Sequence, residues 1–286
     1  MKIRSYAKIN IGLDVIRRLD NGYHEVRMIM QSLRLCDELI VERTDDPGIV
    51  ITADDPSLPV NEDNLIHKAA KLLIDEFDLP GGLDVKLSKN IPIAAGLAGG
   101  SGNAAAVMKA VNELFDLGLS VEDLKKRGVK IGADVPFCIM GGCAISEGIG
   151  EVLTPIPSIP QCSVLLAKPS VGVSTAYVYN NLKLDEVDHP DIDAVIAGIK
   201  AGDLRQITDN MGNVLETVTG RQYPIIGRIE QTMKECGALG AMMSGSGPTV
   251  FGIFDTPEAA AVACDELAKT DPDLKLFVTE AESTKE

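Results

Sequence analysis

Pro92-Ile93-Ala94-Ala95-Gly96-Leu97-Ala98-Gly99-Gly100-Ser101-Gly102-Asn103-Ala104-Ala105-Ala106 is the stretch on which the fold turns. Four of the seven residues from Gly96 to Gly102 are glycine, so backbone N–H groups stand unobstructed there. The alanine-rich run Asn103 to Phe115 reads as a helix entered from this loop, and its N-terminus adds a partial positive charge. Together they make a site for an anion. No Gly-Lys-Ser/Thr follows, which excludes a Walker A loop, and the G-x-x-G spacing is not the Rossmann pattern. Taken alone, the loop glycines read first as a ligand-free turn before a close-packed helix.

The charge balance gives such a loop a purpose. The 286 residues carry 27 basic and 42 acidic side chains, a net charge of -15. A chain this acidic repels nucleic acid and anionic membrane at long range, and it needs a local device to hold a polyphosphate. Six cysteines (36, 138, 143, 162, 236 and 264) show no zinc spacing and read as free thiols of a reducing compartment. Met1 to Leu19 is interrupted by Lys2, Arg4, Lys8, Asp14, Arg17 and Arg18, unlike a signal peptide. No run reaches the length of a membrane span. The expectation is a cytoplasmic protein with neither nucleic acid nor membrane as partner. Nothing in the sequence specifies an oligomeric state.

Outward from the loop, strands dominate the first third. Ile3–Ile16, Val26–Leu35, Glu38–Arg43 and Asp84–Leu87 read as strands, with Asp20-Asn21-Gly22 as a turn and Asp45–Pro59 as a connection. Helical patterns cover Asn64–Phe77, Ser120–Ile131 (Ser120 as N-cap), stretches between Ser174 and Glu235, and Pro257–Lys269. Ser163–Ala167, a hairpin-like unit over Gly240–Phe254, and Lys275–Thr279 supply later strands. The proline-rich Thr154–Pro160 marks a boundary, giving domains 1–157 and 158–286. Disorder is expected only over Glu280–Glu286. The class is α+β.

Three further features carry chemistry. In a strand, Lys8 and Asn10 project from one face, able to hold a phosphate or a sugar-like hydroxyl, or to form a solvated face. Asp134, between Gly132 and Pro136 in apolar surroundings, suits a partly buried general base, or a residue that terminates a helix. Ser244-Gly245-Ser246-Gly247-Pro248-Thr249 is a second glycine-rich turn, which alone is simply a hairpin turn.

In combination and in this order, the lysine strand, the Pro-x-x-x-Gly-Leu loop and the late glycine turn resemble the GHMP kinases, a family that includes homoserine and mevalonate kinases. The resemblance implies a two-domain α+β fold, with an N-terminal ribosomal-protein-like domain and a C-terminal ferredoxin-like one. It implies ATP and Mg²⁺ as the phosphoryl source. Asp20–Val26, Glu62–Ile66, Gly132–Pro136 and Glu147–Glu151 are similar to the branch acting on a sugar alcohol that carries a cytidine diphosphate group. That branch phosphorylates the substrate's 2-hydroxyl in the non-mevalonate isoprenoid route. By the same resemblance, Asp134 takes the proton from that hydroxyl and Lys8 beside it stabilises developing charge. Asn10 orients the hydroxyls, and Pro92 to Gly102 wraps the ATP phosphates with Lys89 and Asn64 near the nucleotide. His24 pairs with cytosine while Tyr23 and Tyr179 are available for stacking. One departure stands out: relatives carry consecutive hydroxyl residues where this chain has Ser101-Gly102, and no protein metal ligand is assigned. Another kinase of the family, a related decarboxylase, or a non-catalytic ligand-binding relative are the competing readings.

Overall fold

The computed structural model describes residues 1–282. Two long strands open the chain, β1 (Lys2–Arg18) and β2 (His24–Thr44), joined by a turn in which Gly22 takes a φ of 85°. β2 is continuous where two strands were expected. Asp37, in the middle of it, is fully buried, yet the strand does not break. Its carboxylate accepts from Asn90 N at 2.7 Å, Ile91 N at 2.8 Å and Lys89 Nζ at 2.8 Å. A buried acid so satisfied no longer favours a turn.

Within the expected connection lies β3 (Gly48–Ala53), which pairs in parallel with β4 (Gly82–Ser88). Between them, α1 (Leu65–Phe77) buries Ile66, Ala69, Ala70 and Leu73. The next helix, α2 (Gly99–Leu114), starts four residues before the expected Asn103, so Gly99, Gly100 and Gly102 belong to its first turn. α3 (Val121–Gly128) begins with a capping box between Ser120 and Asp123, and α4 (Val135–Met140) follows. β5 (Cys143–Glu147) and β6 (Val152–Ile156) pair antiparallel. Pro155 is tolerated because β6 pairs with β5 alone and so is an edge.

The rest runs β7 (Ser163–Lys168), α5 (Thr175–Asn181), α6 (Ile192–Ala201), α7 (Leu204–Asp209), β8 (Gly212–Asn213), α8 (Glu216–Gln222), α9 (Ile225–Glu235), β9 (Gly240–Met243), β10 (Val250–Phe254), α10 (Pro257–Thr270) and β11 (Lys275–Glu280).

These elements form two compact units built from interleaved segments. The first comprises Met1–Ala7, Leu35–Ile93 and Ala98–Gly141. Its core joins Leu39 and Val41 of β2, Leu83, Val85 and Leu87 of β4, and the buried face of α1 to Ala104–Met108 of α2 and Val135 and Ile139 of α4. Each buried Leu or Val there contributes about 1.5–3 kcal/mol. The alanines let α2 sit close to its neighbours.

The second unit comprises Lys8–Arg34, Ala94–Leu97 and Gly142–Glu286. In it β1 lies between β2 and β8. A separate antiparallel sheet has the order β11–β7–β10–β9, and its connectivity (strand, helices, two strands, helix, strand) is the expected ferredoxin-like one. The chain end is ordered further than expected. Glu280 completes β11, Ala281 bridges to Leu33, and Glu282 N donates to Ser32 O at 2.8 Å. Arg34 anchors this end through ion pairs with Glu280 and Glu282. Residues 283–286, also expected to be disordered, lie outside the described residues.

Candidate active site

In the second unit, Lys8 and Asn10 share a face of β1 as expected, but they are buried rather than solvated, at 4% and 1% exposure. Lys8 Nζ donates to Asn10 Oδ1 at 2.7 Å and to the carbonyl of Gly96 at 3.0 Å. Lys8 N donates to Leu97 O at 3.1 Å, so strand and glycine-rich loop are joined by backbone as well. Asn10 Nδ2 turns to Met28 Sδ at 3.2 Å. The late glycine turn meets the same place: Ser244 Oγ donates to Gly96 O at 3.1 Å. A Cβ on Gly245 would stand 3.5 Å from Lys8 Nζ and 3.4 Å from Asn10 Oδ1. Three segments distant in sequence therefore converge on one ammonium. At Gly96, with φ of 74°, a side chain would meet Ser244 O at 2.4 Å, which is why only glycine fits.

In the first unit, the start of α2 is built for an anion. Its N-cap, Ala98, offers no side-chain hydrogen bond, and no acidic residue occupies the first turn. The first N–H groups of a helix point outward with a partial positive charge. Ala94, Gly96 and Ala98 all take positive φ (50°, 74° and 55°), an alternation that bends the backbone into a concave loop. Pro92 and Ala95 are buried, and Ile93 and Ala94 exposed.

Lys89 is placed beside this turn. Its ammonium lies 3.1 Å from where a Cβ on Gly99 would be, and it is paired with Asp37 at 2.8 Å and bonded to the Ile91 carbonyl. Asn64 caps α1, accepting from Ile66 N at 2.9 Å and donating to Pro59 O at 2.6 Å. A Cβ on Gly102 would meet Ser5 Oγ at 2.5 Å, so Ser5 occupies the space that a larger residue would need. Ser101 Oγ lies 3.8 Å from the Cβ position of Gly132. That contact brings the start of α2 beside the turn carrying Asp134. Asp134 opens α4 rather than ending a helix, and its carboxylate does not cap it.

A cleft of about 430 Å³ in the second unit is lined by His24, Tyr179, Asn180, the cations Arg18 and Lys183, and the acids Asp185 and Glu186, with Glu186 paired to Lys183 at 2.9 Å. The rings of His24 and Tyr179 lie 5.2 Å apart, tilted by 36°. Burial, and then the charge of Arg18, hold His24 below the ordinary histidine pKa, which favours its neutral form with one donor and one acceptor nitrogen. Tyr23 is 59% exposed and is not part of the cleft lining. Arg18, Lys183 and Asp37 escaped the sequence reading. The Arg17-Arg18 pair in an acidic chain was the one available signal.

Glu147 pairs with Arg27, and Glu151 accepts from Ile149 N at 2.7 Å. Among the described residues no three His, Cys, Asp or Glu side chains gather as a metal-holding group, and no helix is long and apolar enough to cross a membrane. None of the six cysteines, all among the described residues, forms a disulfide.

Comparison with known proteins gives this geometry a context. The family model for the GHMP kinases N terminal domain matches residues 64–142, and that for GHMP kinases C terminal matches 195–273. A 4-diphosphocytidyl-2-C-methyl-D-erythritol kinase from Lachnoclostridium phytofermentans is 51% identical, over 91% of this chain and 90% of its own. One from Acetivibrio thermocellus is 47% identical over 98% of each chain. A crystal structure of 4-(cytidine 5'-diphospho)-2C-methyl-D-erythritol kinase superposes with a TM-score of 0.85 at 29% identity, covering 99% of this chain and 100% of that one. The homoserine kinase from Cytophaga hutchinsonii, 21% identical with a TM-score of 0.77 over 99% of this chain and 95% of that one, shares the fold. The chain belongs to the GHMP kinase family, in the group of the 4-diphosphocytidyl-2-C-methyl-D-erythritol kinases, and is an ATP-dependent small-molecule kinase.

Proposed function

We propose that the chain transfers the γ-phosphoryl group of ATP to the 2-hydroxyl of 4-diphosphocytidyl-2-C-methyl-D-erythritol, a step of non-mevalonate isoprenoid precursor synthesis. The observation that carries this reading is the His24–Tyr179 cleft flanked by Arg18 and Lys183. A neutral histidine suits the edge of a nucleobase, an aromatic ring suits its face, and the Arg18 guanidinium suits a phosphate, while Lys183 is paired with Glu186. A homoserine or mevalonate site would need none of the ring pair. Asn10 orients the acceptor's hydroxyls. Tyr23, outside the cleft lining, is assigned to the cytidine end as an exposed stacking ring.

Asp134 accepts the proton of the 2-hydroxyl as its oxygen attacks the γ-phosphorus and ADP leaves. Lys8 stabilises the negative charge that develops on the transferring oxygens. Residues 92–102 cradle the phosphates with backbone N–H groups. Lys89 adds positive charge beside Gly99, and Asn64 fixes the start of α1 near the nucleotide. Magnesium bound to ATP would supply charge dispersal over the phosphates. Any contact from the chain to that metal would rest on the Ser101 hydroxyl or on water, since Gly102 has no hydroxyl. Phosphoryl transfer through a loose transition state asks for positioning and charge neutralisation rather than covalent help, so this sparse set suffices.

The test is ADP release from magnesium–ATP with the cytidylyl substrate, run beside free methylerythritol phosphate, homoserine and mevalonate. Turnover is expected with the cytidylyl substrate alone. Asp134→Asn should lower kcat about 10²- to 10⁴-fold, as for loss of a general base. Turnover with homoserine or mevalonate instead would sink the substrate assignment, and an undiminished Asp134→Asn would sink the base.

A further inference from the structure

Behind the turn that meets Lys8 stands a group of polar side chains to which the proposed chemistry gives no part. Asn213 is the second residue of β8, and the parallel register pairs it with Leu13 of β1, the strand that carries Lys8 and Asn10. Its Nδ2 donates to Met243 O and Gly245 O, both at 2.8 Å, while its Oδ1 accepts from Leu215 N at 3.0 Å. Three residues on, Glu216 Oε2 accepts from Met243 N at 2.8 Å. Both backbone polar groups of Met243, the last residue of β9, are therefore held by side chains of one short segment. Thr219 of α8 adds a third point, its hydroxyl donating to Ser246 O at 3.1 Å. From this clamp the turn projects Ser244 onto Gly96 O and Gly245 toward Lys8.

Glu216 is itself backed by Glu230 of α9. The two carboxyl groups are close enough for Glu216 to raise the Glu230 pKa, and Glu230 Oε1 is buried without a hydrogen-bond partner. Two facing carboxylates repel, so the pair stays together most readily while Glu230 keeps its proton. Burial, then the charge of Glu216 across from α8, push the Glu230 carboxyl up to about 8, while Lys234 on its own helix pulls it down.

We propose that Asn213 and Glu216 are positioning residues of the kinase reaction. They fix the Met243–Ser246 turn against Lys8 and Gly96, and the proton on Glu230 keeps Glu216 in place. This rests on the reading that Lys8 acts on the transferring oxygens. The consequence is a turn whose placement is sensitive to alkaline pH although no residue of the clamp touches substrate.

The experiment is steady-state kinetics of the full chain from about pH 6 to about pH 9.5, using whichever acceptor the wild type turns over. Glu216→Ala should lower kcat about 10- to 100-fold with a smaller change in KM, the cost expected of misplacing catalytic groups. Glu216→Gln, which keeps an acceptor for Met243 N–H, should restore most of it. Glu230→Gln can hold Glu216 without ionising, so the fall of kcat expected of the wild type as pH rises through about 8 should be absent from this variant. Wild-type kinetics in Glu216→Ala, or an unchanged alkaline limb in Glu230→Gln, would overturn the proposal. Should Glu216→Ala fail to fold, the Glu230→Gln profile decides. A wild type inactive on the cytidylyl substrate but active on another acceptor would fail the substrate reading and leave the clamp to be judged on that acceptor. A wild type inactive on every acceptor would overturn both.

Discussion

The two glycine-rich segments, Ala94–Gly102 and Ser244–Gly247, look alike in sequence and are built to opposite ends. In the first, three residues take positive φ, no side chain caps the helix that follows, and the N–H groups of the opening turn keep their outward charge. In the second, Gly245 and Gly247 also take positive φ (58° and 89°), but side chains of Asn213 and Thr219 hold the turn's carbonyls and Ser244 bonds to the first loop. Glycine in the first segment leaves the N–H groups of a helix start uncovered by side chains. In the second it lets backbone approach a lysine while the protein fixes its shape. A count of glycines does not separate these uses; the partners of the peptide groups do.

The contrast can be broken at several points, most severely where the segments touch. Gly96→Ala places a Cβ 2.4 Å from Ser244 O at a left-handed φ. Because displacing both segments shifts Lys8, kcat/KM should fall on the order of 100-fold, measured by ADP release. A result within threefold, at the precision of a small rotamer adjustment, would mean the contact is incidental.

Gly102→Ser supplies a second hydroxyl beside Ser101, but its Cβ would meet Ser5 Oγ at 2.5 Å. Overpacking there should destabilise by about 1–3 kcal/mol in urea unfolding. Adding Ser5→Ala should recover most of that loss, whereas two independent losses would add.

Thr219→Val keeps the shape of a fully buried residue and removes the bond to Ser246 O. A cost of about 1 kcal/mol in unfolding is expected, with a lower kcat if the turn must be fixed for catalysis. An unchanged kcat would show that the second segment needs fewer anchors than it has.

The smallest effect concerns the β1 strand beneath both segments. His189 Nδ1 lies 2.7 Å from Asp14 Oδ1, and that bond raises the histidine above its ordinary pKa. For a raised histidine the stabilisation is complete below the unfolded value, about 6.5, and disappears as pH climbs through the raised folded one. Asp14→Asn should therefore lower Tm slightly at acidic pH and not at alkaline pH, and should return the NMR titration of His189 toward its ordinary value. Equal Tm differences at both ends would show the pair to be packing rather than charge.

The fold was legible wherever local pattern and tertiary partner agree: the amphipathic α1, the capped α3, the Gly240–Phe254 hairpin and the alternation that sets Lys8 and Asn10 on one face. Where they disagree, the sequence misleads. Cys36-Asp37 looks like a strand break until Lys89, Asn90 and Ile91 arrive to satisfy the acid. Gly99, Gly100 and Gly102 look like loop until packing against Ile91, Leu65 and Ser5 brings them into a helical turn, most tightly at Gly102, where a Cβ would meet Ser5 Oγ at 2.5 Å. By itself, the sequence determined the family, the order of the three motifs and which residue types carry charge, because these are properties of short segments. Only the tertiary structure decided that Lys8 is buried against Gly96, that Tyr179 rather than Tyr23 meets His24, and that Asn213 and Glu216 hold the late turn. Those are contacts between segments some 20 to 160 residues apart, as with His24 and Tyr179, and no local propensity encodes them.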